Sequence, residues 1–369
     1  MPLLAGHRPT GHLDQQELNR ALSIVQADYY GGKNVNYSDL SHGTVRGMVS
    51  GLGDRFSYYL DPSEYQRQLN SYKGRYVGIG VEVSFTSDYP SIVTVFSDTP
   101  AARAGLKPGD VILSVDGKDM HGINADEASN LIRGPQGTNV RLVVQRGQDK
   151  LEFSVQREPI SLPSVRSLKL DDGVLYMRIY SFETNTGSDF DQKLKADLPG
   201  ASAVVLDLRD DGGGFIDDAQ NVISQFVSSG EAYELRDREG TVDRHMVAGN
   251  APAPSLPLVV LINGNTASAS EMVAGSLHAH SRARLYGTVT YGKGSVQQDF
   301  PLPDGSDLHL TTKHWFLPDG STVQDVGLKP DLEVRMPSAE AMFDVAHPDR
   351  GHAADAQLNS ALQALAAGT

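Results

Sequence analysis

The sequence predicts an α/β fold: a mixed sheet with flanking helices, interrupted by a β-rich insert carrying two helices and preceded by a helical segment. Three observations lead there. Ala203-Val-Val-Leu-Asp-Leu-Arg209 and Pro257-Leu-Val-Val-Leu-Ile-Asn263 are continuous apolar runs, the pattern of strands covered on both faces. Each run empties into a glycine-containing turn and then into a helix pattern, Asp217 to Val227 after the first. After the second, Met272, Val273, Ser276 and Leu277 share one helical face. Between them and the N-terminus, residues 76–157 read as short strands and turns, so the divisions fall at 1–75, 76–157 and 158–369.

Composition narrows the class. With 369 residues, 39% of them hydrophobic and 21% charged, the chain can build two or three cores. A net charge of −14 argues against nucleic acid or an anionic membrane as main partner. No cysteine occurs, which removes disulfides, thiol nucleophiles and thiolate metal sites and is compatible with an oxidising compartment. The opening Met-Pro-Leu-Leu-Ala-Gly-His-Arg has no apolar stretch of export-leader or membrane-spanning length.

In chain order, residues 1–12 show no period. Leu18, Leu22, Ile24, Val25 and Tyr29 recur at helical spacing from Leu13 to Tyr30, and a second helix is expected from Tyr37 to Leu52. Gly51 to Asp61 reads as a turn before a short helix opening at Pro62; His42 reads as a surface residue, lacking a second ligand at metal-site spacing. A boundary falls at Ser71-Tyr-Lys-Gly-Arg-Tyr76. Tyr76-Val-Gly-Ile-Gly-Val-Glu-Val83 then joins glycines to a strand, an arrangement that lets backbone N–H groups converge on a carboxylate, though a β-bulge explains it as well. Expected next are a strand at Ile92–Phe96, a short helix at Ala101–Gly105, a turn, strand and hairpin over Leu106–Gly117, a helix at Asp126–Arg133 and a strand at Asn139–Gln145. Val174–Ile179 suits a strand, Phe190–Leu198 a helix, and 228–256 a polar spacer. Leu308 to Phe316 alternates as a strand, and Ala353 to Ala367 reads as a last helix with Leu358, Leu362 and Leu365 on one face.

Two motifs could carry chemistry. Ser268-Ala-Ser-Glu271 opens the helix after the second apolar strand and matches the capping box Ser-x-x-Glu, which by itself makes Ser268 a cap. The unpaired N–H groups and positive dipole at such a helix start also suit a developing oxyanion. Lys293, set among Gly287, Gly292 and Gly294, could serve as base for a serine if burial lowered its pKa. Gly287 to Lys293 also matches the start of a phosphate-binding loop. That loop demands Ser or Thr after the lysine and a helix beyond, where this chain has Gly294 and a strand-like Val296 to Phe300. His278 and His280 follow Ser268 on one helix, too near to act as a separate base, and lack the i, i+4 spacing of a helical metal pair. At Asp211-Gly-Gly-Gly214 a plain tight turn and an anion-binding loop fit equally.

Thr266 to Gly275 together with Tyr291-Gly-Lys-Gly-Ser-Val-Gln297 resembles the active-site region of the C-terminal processing peptidases, or tail-specific proteases, serine proteases with a Ser–Lys pair and an inserted PDZ domain. The resemblance places the nucleophile on Ser268 rather than Ser270, since Lys293 lies 25 positions on (293 − 268 = 25), and the supporting glutamine on Gln297. It implies oxyanion donors at Gly213, Gly214 and Ala269, although the family's Asn-Pro-Gly-Gly stands here as Asp211-Gly-Gly-Gly. Tyr76, Val77, Gly78, Ile79 and Gly80 resemble the PDZ carboxylate-binding loop, with the groove strand running to Phe85; Arg133, where the groove helix ends, is either a reporter of groove occupancy or a cap of that helix. No metal or cofactor is implied. The implied partners are proteins or peptides with free C-termini, a second copy through the terminal helices, and an adaptor or regulatory protein. The implied location is the bacterial cell envelope, with the export leader absent from this chain. The rival functions are a non-catalytic peptide-binding scaffold on the same fold and a nucleotide-dependent enzyme using the Gly-Lys loop.

Overall fold

The computed structural model describes residues 13–368 except 85–87, 97, 124, 162, 250 and 339–340. The expectations for residues 1–12 and for Phe85 therefore lie outside the described residues.

The N-terminal segment comprises α1 (Gln15–Asp28), α2 (Tyr37–Ser50), β1 (Tyr58–Leu60) and α3 (Pro62–Tyr72). Asp14 and Asn36 cap the first two helices, and Asp61 with Glu64 closes a full capping box on the third. The periodic apolar residues of α1 make a helix but bury nothing: Leu18, Leu22 and Ile24 are exposed. Strand β1 lies inside the stretch expected to be a turn. It is three residues long, too short to show a period, and exists because it pairs antiparallel with a distant strand.

The insert follows. A short ribbon of β2 (Arg75–Gly78) and β9 (Glu158–Ser161) forms its neck. Between them β3 (Val81–Ser84), β4 (Ser91–Val95), β5 (Val111–Val115), β6 (Lys118–Asp119), β7 (Asn139–Arg146) and β8 (Asp149–Gln156) form one antiparallel sheet with α4 (Pro100–Ala104) and α5 (Ala125–Ile132). Its core is separate, built on Ile79, Ile92, Ile112, Met120, Leu142 and Val144. Buried Arg157 donates to the carbonyls of Leu131 and Ile132 at 2.9 Å each, so this arginine satisfies the end of α5.

The larger domain is organised on a sheet of β10 (Val165–Lys169), β11 (Val174–Ile179), β12 (Ala203–Asp207), β15 (Leu258–Ile262), β16 (Arg284–Gly287) and β19 (Leu332–Glu333), parallel except where β10 meets β11. Every residue of β12 and β15 is buried, as their unbroken apolar runs require. Val204, Leu206, Val260 and Ile262 face one core with α6 (Thr186–Asp197), α7 (Ile216–Ser224) and α8 (Ala269–Ala279). Val205, Val259 and Leu261 face another, closed by Leu358 and Ala361 of α9 (Ala356–Ala367). Fully buried Arg209 fastens that helix: it bridges Asp207 at the end of β12 and Asp355 at the cap of α9.

A second sheet stands beside it, ordered β1, β18 (Asp307–Phe316), β13 (Glu231–Asp237), β14 (Val242–Met246), with β17 (Ser295–Pro301) also paired to β18. Strands β13 and β14 occupy the region read as a spacer. Neither alternates, β14 being exposed at four of its five positions, and the pairing of β13 with β18 and of β14 with β13 supplies what pattern did not. Among the described residues no helix is long and apolar enough to cross a membrane.

Candidate active site

Strand β15 ends at Ile262, the chain turns through 263–267, and α8 starts after Ser268. Ser268 itself has φ 57° and ψ −117°, a conformation ordinarily left to glycine, and is 8% exposed. Holding a serine there costs on the order of 1–3 kcal/mol, which the surroundings must over-determine. They do so through hydrogen bonds: Thr266 Oγ1 donates to Leu208 carbonyl at 2.8 Å, Ala267 N–H to Asp211 carbonyl at 2.9 Å, and Tyr291 N–H to Thr266 carbonyl at 3.0 Å. No Gly-x-Ser-x-Gly pattern surrounds this strand-to-helix turn, so nothing local in the sequence marks it.

Glu271 does more than cap. The capping-box arrangement is present. Its buried carboxylate accepts Ser268 N–H at 2.9 Å, Lys293 N–H at 2.9 Å, Gly292 N–H at 2.8 Å and Thr290 Oγ1 at 2.5 Å. One side chain thereby ties the backbone of Ser268 to that of Lys293 across 25 residues (293 − 268). Close packing of glycine accompanies this. A Cβ on Gly292 would meet backbone atoms of Val323, Val326 and Gly327 at 2.9–3.1 Å.

Lys293 is followed by strand β17 rather than a helix, which excludes the phosphate-binding loop. Burial lowers its pKa, opposed by the charges of Asp54 and Glu271. Its Nζ stands 4.9 Å from the Phe56 ring centre, and Trp315 Nε1 donates to its carbonyl at 3.1 Å. Phe56 and Asp54 come from the loop after α2, so the N-terminal segment forms part of the lysine's surroundings. Sequence reasoning missed both; nothing in an Asp-Arg-Phe loop marks them. Burial pushes the Asp54 carboxyl up, but hydrogen bonds from Ser57, Thr311 and Phe56 N–H outweigh it and hold it below its usual range.

Gln297 was expected to hydrogen-bond the lysine. Here its amide nitrogen donates to Ser295 Oγ at 2.9 Å and Thr311 Oγ1 at 3.0 Å, so any contact with Lys293 falls to its carbonyl oxygen. Of the expected oxyanion donors, Gly213 sits against the serine: a Cβ there would lie 2.8 Å from Ser268 Cβ and 2.8 Å from Ala269 N. Its N–H, however, is donated to Asp211 Oδ1 at 2.8 Å, which corrects its expected role. Gly214, at φ 145°, lies where a Cβ would strike the Phe182 carbonyl at 2.0 Å. Asp211 is fully buried, and burial pushes its carboxyl up to about 8, only partly opposed by Gly213 N–H and the neighbouring Ser270 hydroxyl. Neither Asp211 Oδ2 nor Ser270 Oγ completes a hydrogen bond. His278 and His280 hold Asp331 and the Glu231 carbonyl, and His42 holds Asp304.

In the insert, Gly78, Ile79 and Gly80 line a cavity of about 490 Å³ together with Ile132, Arg133 and, from the larger domain, Ser181 and Glu183. Gly80 has φ 81° and packs so close to Thr99 that a Cβ would lie 2.4 Å away. Tyr76 and Val77 lie in β2, paired with Ile160 and Pro159 at the neck. Arg157 donates to the last two carbonyls of α5, beside Arg133.

Residues 173–334 match the model of peptidase family S41, and residues 92–146 match a PDZ domain. A carboxy-terminal-processing protease of Bartonella bacilliformis is 36% identical over 309 residues, 82% of this chain and 71% of that protein. A probable CtpA-like serine protease of Staphylococcus aureus is 32% identical over 342 residues, 92% of this chain and 68% of that one. The chain belongs to peptidase family S41. It carries the family's protease core with a PDZ domain and is of the serine-type C-terminal-processing kind. Among solved structures, the photosystem II D1 C-terminal processing protease superposes with TM-score 0.59 at 26% identity, covering 93% of this chain and 92% of that one. A Bacteroides fragilis S41 protease at 20% identity shares the fold, with TM-score 0.62 over 98% of this chain and 100% of its own.

Proposed function

We propose that this S41 peptidase is an endopeptidase using Ser268 as nucleophile and Lys293 as its base. The observation that carries the reading is the Glu271 clamp, which holds the serine and lysine backbones on one carboxylate. Ser268 Oγ attacks the scissile carbonyl carbon as its proton passes to neutral Lys293 Nζ; the C–N bond then breaks and the lysine returns that proton to the leaving amine. Water, deprotonated by the same lysine, attacks the acyl carbon; the C–O bond to Ser268 breaks and the lysine returns the proton to Ser268 Oγ. Gly214 and Ala269 N–H receive the oxyanion, with Gly213 as the close-packed wall. Gln297 acts on Lys293 through its amide oxygen and adds no charge, leaving the lysine free to be neutral.

The PDZ cavity takes the free C-terminus of a protein or peptide substrate at Gly78, Ile79 and Gly80, and Arg133 relays its occupation across the Ser181–Glu183 wall. The exposed apolar face of α1 suits a second copy of the chain or an adaptor, and the working compartment is the bacterial cell envelope. The test is digestion of a protein with a defined apolar C-terminus by wild type, Ser268→Ala and Lys293→Ala, with mass spectrometry of the products. Internal cleavage by wild type and none by either folded variant is expected. Cleavage surviving in Ser268→Ala refutes the assignment.

A further inference from the structure

The hairpin of β17 and β18 carries a cluster that the reading above leaves unused. Asp299 pairs directly with His309 across the antiparallel ladder, and Asp307 lies two residues before His309 on the same face. His309 Nδ1 stands 2.5 Å from Asp299 Oδ1, and one ligand-capable atom of each of the three residues lies within 4.8 Å of the others. Asp307 is 0% exposed, and neither of its carboxylate oxygens has a hydrogen-bond partner. A carboxylate removed from water without donors is costly unless a cation meets it. Here a second carboxylate, that of Asp299, stands beside it instead. The third strand of this sheet adds no positive charge at that point. Tyr58 of β1 stacks on the His309 ring at 4.5 Å, and its hydroxyl donates to Gln68.

We propose that Asp299, Asp307 and His309 form a structural site for one divalent first-row transition ion, with Zn²⁺ the best fit. Carboxylate oxygen and imidazole nitrogen are both ordinary zinc donors, and with three of them from the protein a water completes the tetrahedron. The compact three-donor geometry is too poor in oxygen for Ca²⁺, and the imidazole disfavours Mg²⁺. Binding takes the place of the direct His309–Asp299 contact and gives Asp307 the partner it lacks. The ion also fixes a particular part of the fold. His309 and Asp307 are the β18 partners of Tyr58 and Leu60, so the site holds the strand by which the N-terminal segment joins the protease core. Two residues along the same hairpin are Gln297 and Thr311, the latter accepting Gln297 and donating its N–H to Ser57.

The test uses the full chain stripped with chelator and dialysed. Zn²⁺ is titrated calorimetrically, and thermal unfolding is followed with and without Zn²⁺, Mg²⁺ or Ca²⁺, in wild type, Asp307→Asn and His309→Gln. Wild type should take up one Zn²⁺ per chain and unfold at higher temperature with it, while Mg²⁺ and Ca²⁺ leave the midpoint unchanged. Each variant should bind at least about tenfold more weakly and lose the Zn²⁺-dependent rise. Asp307→Asn preserves size and removes a buried charge, so its fold is secure, and circular dichroism checks it. Should wild type bind no Zn²⁺, or both variants bind it as wild type does, the site does not exist and the cluster is a protonated Asp307 beside an imidazole–carboxylate pair.

Discussion

Replacing Asp211 with asparagine should make the protein more stable and widen its working range towards alkaline pH. In the fold the Asp211 carboxyl rises from 3.8 to about 8 because it is fully buried with Gly213 N–H as its one completed side-chain hydrogen bond. In the unfolded chain it ionises near its ordinary value. Between these two values the unfolded state has released a proton that the folded state keeps, so stability is greatest below about pH 4 and falls as pH rises towards 8. Four units at about 1.4 kcal/mol each give on the order of 5 kcal/mol. Asparagine keeps the acceptor for Gly213 N–H, supplies an amide donor towards Ser270 and carries no charge, so it escapes this penalty. Catalysis should respond in the same direction. An ionised Asp211 would place negative charge on the loop that borders Ser268, opposing the oxyanion. One unit above its pKa about nine-tenths of the wild type would be ionised, an alkaline loss of about tenfold in kcat/KM that Asp211→Asn should not show. The assays are denaturant midpoints at pH 5 and 9 and kcat/KM on a fluorogenic peptide from pH 5 to 10. Superimposable pH profiles, with equal shifts in midpoint for both proteins, would refute the reasoning that burial keeps this carboxyl neutral.

Lys293→Ala should stay folded yet lose the limb of kcat/KM that rises with pH; because burial lowers this lysine's pKa, that limb must lie below the range of an ordinary lysine, and a rise only near 10 would show the base is not Lys293. Ser270→Ala should keep activity within a few-fold, since Ser270 Oγ is buried without a partner, whereas Ser268→Ala should be inactive; peptide turnover of the two settles it. Glu271→Gln keeps the shape but turns an NH₂ against one donor pair, Ser268 with Lys293 or Thr290 with Gly292, so a loss of about 2–4 kcal/mol in unfolding free energy and at least a hundredfold in kcat is expected; an unchanged kcat would show the clamp is not needed. Amidating a substrate's C-terminus should weaken binding about tenfold, near 1.4 kcal/mol, and Arg133→Ala should abolish the difference in cleavage between free and amidated tails; equal rates for both tails in wild type would remove the PDZ domain from substrate choice.

The sequence by itself determined the elements whose pattern is local. Unbroken apolar runs specified β12 and β15 because a strand covered on both faces needs no polar side, and helical periods specified α1 and α9. The resemblance to the C-terminal processing peptidases singled out Ser268 and Lys293. Tertiary structure decided what depends on partners far along the chain. Strands β1, β13 and β14 show no strand pattern alone and exist through pairing centred on β18. The strained φ of Ser268 needs hydrogen bonds to two other segments, 208–211 and Tyr291. Glu271 read as a cap because its distant donors, Gly292 and Lys293, are invisible at three-residue range. Asp54 and Phe56 reach the lysine from another domain. The acidity of Asp211 and the orphaned Asp307 are properties of burial, which no residue carries in its own letter and only packing confers.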